Sequence, residues 1–307
     1  MTRQLVLGAG LIGAQLASRL AGRGDEVLVG TRHGTVVDGC TAVQLDASDA
    51  DAVTRAAEDA DTIFVLTNPA YTSWAKDWPP VYAATIDAAE RTGAALVVMG
   101  NLYPYGLSLA PMTEHSPEIT TEAKGLVRKA GWHAVREASD AGRLRGAEVR
   151  ASDYFGPGAT GTAHLGEAFF TSILKSKTAR GVGGVELDHS WSYVPDIVTT
   201  LVAAAGWSGD WGRVWHVPSG APHPRAEIAA QLNAIYGTSG EAGAYPLWAL
   251  RTLGLVSPMM HEIAESSYQF TSPFVIDATE TCRLLDIEET PWHEALLTTS
   301  EWYRSRL

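Results

Sequence analysis

The chain opens with an apolar run, Leu5-Val6-Leu7, then a glycine cluster, then Ile12, Leu16 and Leu20 spaced four apart. A short continuous apolar run predicts a strand buried on both faces, and the four-residue spacing predicts a helix with one apolar side. The alternation repeats. Strands are expected at Glu26–Gly30, Ala42–Leu45, Thr62–Leu66, Ala95–Met99 and Glu148–Ala151, and helices at Asp49–Ala60, Val81–Thr92 and Glu122–Ala141. Ser48 or Asp49 suits the cap of the second helix. Strands alternating with helices specify an α/β fold built on a doubly wound parallel sheet. After about residue 155 the pattern loosens, with helices expected at Ala163–Leu174, from Ser192-Tyr193-Val194-Pro195-Asp196 to Ala205, and at Arg225–Tyr236, a turn at Arg180–Gly184 and a strand at Val214–Val217. The expected organisation is a nucleotide domain over 1–155 and a smaller C-terminal substrate-binding lobe over 156–307, with the chain returning to the sheet near 189–217.

The glycine cluster is Gly8-Ala9-Gly10-Leu11-Ile12-Gly13, the spacing G-x-G-x-x-G between a strand and a helix. Gly8 permits the tight turn, Gly10 lets a pyrophosphate approach the backbone, and Gly13 lets the helix pack on the strand. The free N–H groups of the helix start, at Leu11 and Ile12, face the phosphates. At the end of the second strand an acid would bind an adenosine ribose hydroxyl, whereas Thr31 and Arg32 stand there and suit a 2′-phosphate. NADP is therefore expected over NAD. Asp46, after the third strand, suits the adenine amino group or a turn of its own. Leu66, Thr67 and Asn68 end the fourth strand at the carboxyl edge of the sheet, where ligands bind.

Composition narrows the picture. The 307 residues are 46% hydrophobic and 19% charged, as in an ordinary globular protein, and the net charge of −12 with no basic stripe excludes a nucleic-acid surface. No apolar run has the length of a membrane span and no secretory pattern opens the chain, so a cytoplasmic protein is expected. Cys40 and Cys282 read as separate reduced thiols, and no metal-ligand spacing or Gly-x-Ser-x-Gly turn occurs.

Several stretches together carry a family resemblance: the glycines 8, 10 and 13; Tyr105-Gly106; Thr113-Glu114-His115-Ser116-Pro117; Arg150-Ala151-Ser152-Asp153-Tyr154-Phe155-Gly156-Pro157-Gly158; and Tyr193-Val194-Pro195-Asp196. In this order they resemble an extended short-chain dehydrogenase/reductase of the NAD-dependent epimerase/dehydratase group, which implies a Rossmann fold. Many extended members place a further glycine where Leu7 stands. The resemblance also implies a Ser or Thr after the fifth strand and a Tyr-x-x-x-Lys pair on the following helix, one turn apart on one face. Neither is present. In the preferred register Lys124 replaces the tyrosine, Arg128 the lysine and Asn101 the hydroxyl residue; Lys129 with His133 is a second register. Arg128 can still bond ribose hydroxyls. Tyr103 or Tyr105 can supply the missing phenol, Tyr103 being the freer.

Aromatic residues expected to line the cleft are Tyr71, Trp74, Trp78, Tyr154, Phe155, Trp191, Tyr193, Trp248 and Tyr268, with Tyr71, Trp74, Tyr154, Trp191 and Tyr193 the chosen substrate contacts. His115, His164 and His189 are histidines able to titrate near neutrality. The leading expectation is an NADP-dependent oxidoreductase reducing a ketone, imine or activated double bond in a hydrophobic small molecule, with Asn101, Tyr103, Lys124 and Arg128 around the nicotinamide. A non-catalytic NADP-sensing regulator and a sugar-nucleotide epimerase or dehydratase are the alternatives. A homodimer is compatible with each.

Overall fold

The computed structural model describes residues 2–108, 110–160, 163–246 and 266–307. Trp248 lies outside the described residues. The nucleotide half alternates as expected: β1 (Arg3–Leu7), α1 (Leu11–Gly22), β2 (Glu26–Thr31), β3 (Thr41–Gln44), α2 (Ala50–Ala56), β4 (Thr62–Val65), α3 (Trp74–Thr92), β5 (Ala95–Asn101), α4 (Ala123–Asp140) and β6 (Arg145–Ala151). Then follow β7 (Asp153–Phe155), α5 (Glu167–Leu174), β8 (Thr178–Gly181), β9 (Trp191–Tyr193), α6 (Val194–Ala205), β10 (Arg213–His216), α7 (Arg225–Tyr236), β11 (Glu241–Ala244), α8 (Thr279–Leu285) and α9 (Trp292–Arg304). Seven strands form one sheet in the order β10-β6-β5-β4-β1-β2-β3, every neighbouring pair parallel. The return to the sheet is made by β10 alone, alongside β6.

Residues alternate across the sheet. Leu5, Leu7, Ile63 and Val65 pack with α2, α3 and α4, while Val6, Phe64 and Val97 pack with α1 and α6. A third cluster, with Phe169, Phe170, Ile228 and Tyr303, forms the core of the C-terminal lobe. Two short parallel pairs, β7 with β9 and β8 with β11, have no counterpart in the sequence reading. β7 and β9 are only three residues long, and β8 (Thr-Ala-Arg-Gly) and β11 (Glu-Ala-Gly-Ala) carry no apolar run to mark them. The helix expected at Asp49–Ala60 runs only over α2, capped by Asp49, which accepts the N–H of Ala52 at 3.0 Å. The one expected at Ala163–Leu174 begins only at Glu167, after Gly166.

The largest departure is α3, which starts at Trp74 rather than Val81 and contains Pro79 and Pro80. An interior proline costs a helix about 3 kcal/mol. Burying an indole removes about 150–250 Å² from water, about 4–6 kcal/mol. Trp74 and Trp78, one helical turn apart and 6% and 2% exposed, together outweigh the two prolines.

One polar group holds α4 on the sheet. Glu148 of β6 is buried between two buried guanidiniums: its Oε2 accepts from Arg150 Nε at 2.7 Å, and its Oε1 lies 3.7 Å from Arg128 Nη2. Arg128 also donates to the carbonyl of Met99 and lies over the Trp78 ring at 4.2 Å. Arg150 reaches Glu118 and stacks 4.7 Å from Tyr105. Burial opposes the charge of Arg150, yet Glu148, Tyr105 and Glu118 outweigh it and raise its pKa further. Replacing Glu148 by Ala takes the carboxylate from Arg128 and leaves Arg150 with Glu118 alone, so E148A is expected to lose about 3–5 kcal/mol of unfolding free energy in urea. A loss below about 1 kcal/mol would contradict this role for the carboxylate.

Candidate functional site

The site begins at the carboxyl end of β1. Gly8 sits at φ +110°, and a Cβ there would lie 2.7 Å from Leu66 C and Thr67 N. A Cβ on Gly13 would meet the Gly8 carbonyl oxygen at 2.0 Å, so α1 approaches the turn as closely as backbone allows. Gly10 differs: its φ of −70° suits any residue, and nothing lies within 4 Å of its Cβ position. The open space there adjoins the start of α1, which has no side-chain cap and no acid in its first turn. The N–H groups of Leu11 and Ile12 have no helical acceptor by geometry. An anionic pyrophosphate fits that cradle.

Thr31 is half-buried, its Oγ1 accepting the N–H of Thr35 at 2.8 Å, while Arg32 is exposed at the end of β2. Asp46 spends its Oδ1 on Ser48, accepting the backbone N–H at 2.9 Å and the hydroxyl at 2.7 Å. Those bonds hold its carboxyl below the usual carboxylate range. The turn role left open by the sequence is thus occupied. Leu66 and Thr67 are half-buried beside the glycine turn and Asn68 is exposed.

Farther along the same edge a phenol pair meets a lysine. Tyr71, in the short turn before α3, places its hydroxyl 3.3 Å from that of Tyr103, and Lys124 Nζ lies 4.2 Å from the Tyr71 ring centroid. Although part of Tyr103 reaches solvent, its hydroxyl is enclosed, and burial pushes its pKa well above the ordinary phenol value, with Tyr71 and Asp153 adding to the rise. A hydrogen bond with Gln269 works the other way. Asn101 accepts the N–H of Tyr103 through Oδ1 at 3.1 Å, which leaves its amide N–H groups as donors. Lys124 and Arg128 share the buried face of α4. The second register faces outward, where Lys129 donates to the Glu118 carbonyl and His133 pairs with the Glu118 carboxylate at 2.7 Å.

The structure separates the remaining candidates. Arg128 is engaged beneath β5 by Met99, Glu148 and Trp78 and is 2% exposed. Tyr105 is locked by His216, whose Nδ1 faces the Asp277 carbonyl at 2.9 Å. A carbonyl only accepts, so Nδ1 carries the proton and Nε2 accepts the Tyr105 hydroxyl at 2.7 Å. Burial pulls the His216 pKa down to about 4 and pushes Tyr105 up to about 12. Trp74 packs in the core with its indole N–H on the Pro69 carbonyl at 3.1 Å. Trp191 and Tyr193 are 2% and 7% exposed in the lobe core, and Tyr154 is half-buried.

Three further polar groups near Tyr103 or Asp153 were not chosen from sequence as site residues. Asp153 is bonded by His189 Nε2 at 3.0 Å and influences Tyr103, Tyr154 and Tyr268. Gln269 arrives from a short turn far along the chain and carries no sequence signal. His164, singled out only as a titratable residue, joins the charge environment of Asp153. The signal available for Asp153 was its place directly after β6. Among the described residues no group of His, Cys, Asp and Glu is arranged to hold a metal ion, and no helix is long and apolar enough to cross a membrane.

Comparison with known proteins places this architecture. Residues 4–217 match the NAD dependent epimerase/dehydratase family. The chain belongs to this family. Among its relatives is a dTDP-6-deoxy-L-talose 4-dehydrogenase (NAD(P)(+)) of Kitasatospora kifunensis, 29% identical over 189 residues. That match spans 57% of this chain and 58% of the relative's length. The fold is similar to that of a UDP-glucose 4-epimerase from Thermotoga maritima solved with UDP-glucose, at TM-score 0.81, 17% identity and 99% coverage of each chain. It is also similar to a UDP-glucuronic acid 4-epimerase from Bacillus cereus solved with UDP-glucuronic acid and NAD, at TM-score 0.80, 16% identity and coverage of 99% of this chain and 100% of the other.

The second and third glycines of the turn behave differently. G13A forces the Gly8 carbonyl aside and is expected to lose about 1–3 kcal/mol, whereas G10A enters open space and is expected to unfold within about 0.5 kcal/mol of wild type. Thermal and urea denaturation check both; equal losses would contradict the open cradle at Gly10.

Proposed function

We propose that this protein is an NAD(P)-dependent oxidoreductase that interconverts a secondary alcohol and a ketone on a small molecule. The observation that carries the reading is the open cradle at Gly10 on the same sheet edge as the Tyr71, Tyr103 and Lys124 group. When bound, the dinucleotide supplies or takes the hydride at its nicotinamide ring. Leu11 and Ile12 N–H groups hold the pyrophosphate beside Gly10, with Leu66, Thr67 and Asn68 along the dinucleotide. Asn101 donates its amide N–H to a substrate oxygen. Tyr103, protonated at any working pH by its raised pKa, donates a hydrogen bond to that oxygen, and the charge of Lys124 on Tyr71 favours negative charge developing there.

The pocket chemistry favours a polyhydroxylated substrate over the apolar one expected from the aromatic count. Trp74, Trp191 and Tyr193 serve cores, and the groups left at the edge are phenols, an amide, a lysine and a carboxylate. The dehydrogenase relative's name makes a nucleotide-linked deoxysugar the first class to test. The NADP preference rests on Thr31 and the exposed Arg32, since an Arg contact to a 2′-phosphate contributes about 1.5–3 kcal/mol. The expected homodimer and cytoplasmic location belong to the same proposal, as does any role of Arg128 beyond holding α4.

The test is formation of reduced nicotinamide on mixing the purified protein with NADP⁺ or NAD⁺ and dTDP-6-deoxy-L-talose, UDP-glucose or UDP-glucuronic acid. Turnover is expected with at least one sugar. NADP⁺ is expected to bind at least tenfold tighter than NAD⁺, R32A to erase that ratio, and G10A to weaken both cofactors at least tenfold while staying folded. Tight NADPH binding without turnover of any sugar nucleotide or ketone would replace this reading with that of an NADP-sensing regulator.

A further inference from the structure

Pairing of β7 with β9 sets Asp153 opposite Trp191, which brings His189, two residues earlier, against the Asp153 carboxylate. The His189 ring is walled by Phe270, stacked at 5.0 Å and 6° between planes, and by Trp191 at 4.3 Å. Its orientation is therefore fixed. A carboxylate can only accept when ionised, so His189 Nε2 carries the proton of the 3.0 Å bond. His164, in the loop before α5, rests on the same Phe270 ring at 4.1 Å. Burial lowers the His164 pKa below 6.5, the Asp153 charge raises it, and His189 and Arg225 lower it. For Asp153, burial works upward, but the His189 bond and the neighbouring His164 outweigh it and leave the carboxyl below its ordinary range. The three groups do not form a metal site.

The phenols of this pocket are poor proton acceptors. Tyr103 and Tyr268 are both driven upward by burial, and Tyr154 is raised as well. Lys124 faces Tyr71 from the other side. An alcohol oxidised here still has to lose its hydroxyl proton to something basic at neutral pH.

We propose that the His164 imidazole is that proton acceptor, with the Asp153 carboxylate stabilising the imidazolium that results and His189 positioning Asp153. The assignment rests on the oxidoreductase reading for its substrate. In the oxidising direction the carbinol C–H bond breaks and its electron pair leaves as hydride for the oxidised nicotinamide. The O–H bond breaks, its proton passes to His164, and its electron pair forms the carbonyl π bond. Reduction runs the same steps backward, with His164 as donor.

The sign of the pH dependence follows. His164 is neutral and competent above its pKa, so kcat/KM for sugar-nucleotide oxidation is expected to fall on an acid limb below pH 6.5. D153N removes the group that raises the His164 pKa. It should shift that limb to lower pH and reduce kcat by about 10²-fold or more. H164Q should abolish the limb, and H189Q, which removes a cationic neighbour that lowers the His164 pKa, should shift it to higher pH, opposite to D153N, while leaving KM within a few-fold. A wild-type limb in D153N or H164Q would overturn the proposal.

The second measurement needs no turnover. Carbon-13 imidazole resonances of the NADPH-bound protein should show His164 titrating below pH 6.5, and lower still in D153N. Identical His164 titrations in the two proteins would overturn the assignment even if no sugar nucleotide reacts, a failure that would instead count against the oxidoreductase reading.

Discussion

Glu148 is the point on which both halves of the site hang. A single carboxylate, 1% exposed, lies between Arg128 from α4 and Arg150 from its own strand, which Glu118 also pairs, so helix and sheet are tied by charge as well as by apolar contact. The tie reaches forward in the chain. A Cβ on Gly100 would stand 2.6 Å from the Glu148 side chain, so β5 passes the carboxylate only as glycine, one residue before Asn101. One turn before Arg128 on the same helix face is Lys124, whose place against Tyr71 depends on where α4 sits. Removing either partner of a buried ion pair leaves the other unsolvated, which makes this arrangement rigid rather than adjustable.

The two ends of the cleft follow different rules. At the glycine turn, the geometry is written in absences: no Cβ at Gly8, Gly10 or Gly13, no side-chain cap on α1 and no acid in its first turn. At the other end it is written in side chains drawn from widely separated stretches. Tyr71 precedes α3, Tyr103 follows β5, Lys124 opens α4, Asp153 follows β6 and Gln269 comes from the C-terminal lobe. The family's turn is thus carried by local sequence, and the phenol–lysine group by tertiary structure.

That division explains what was legible beforehand. The strand and helix order and the turn glycines could be read because each is a local pattern, or one repeated at a regular interval. The start of α3 could not, because the prolines at 79 and 80 argue locally against a helix that two buried indoles impose. The pairing of Arg128 with Glu148 could not be read either, because the two lie 20 residues apart on a helix and a strand. His164, His189 and Asp153 meet only through the β7–β9 pair and the Phe270 ring, separations of tens of residues that no spacing rule records. The aromatic count misled for a related reason: sequence does not distinguish an indole in a core from one in a cleft.

The central claim is that one sheet edge holds a dinucleotide at Gly10 with its reactive ring among Tyr103, Lys124 and Asp153. A crystal structure of the protein with NADPH tests it most directly. Pyrophosphate density is expected against the N–H groups of Leu11 and Ile12, with the nicotinamide ring extending along the edge to the Tyr71–Tyr103 pair. Pyrophosphate elsewhere, or a nicotinamide turned out of that edge into solvent, would contradict it.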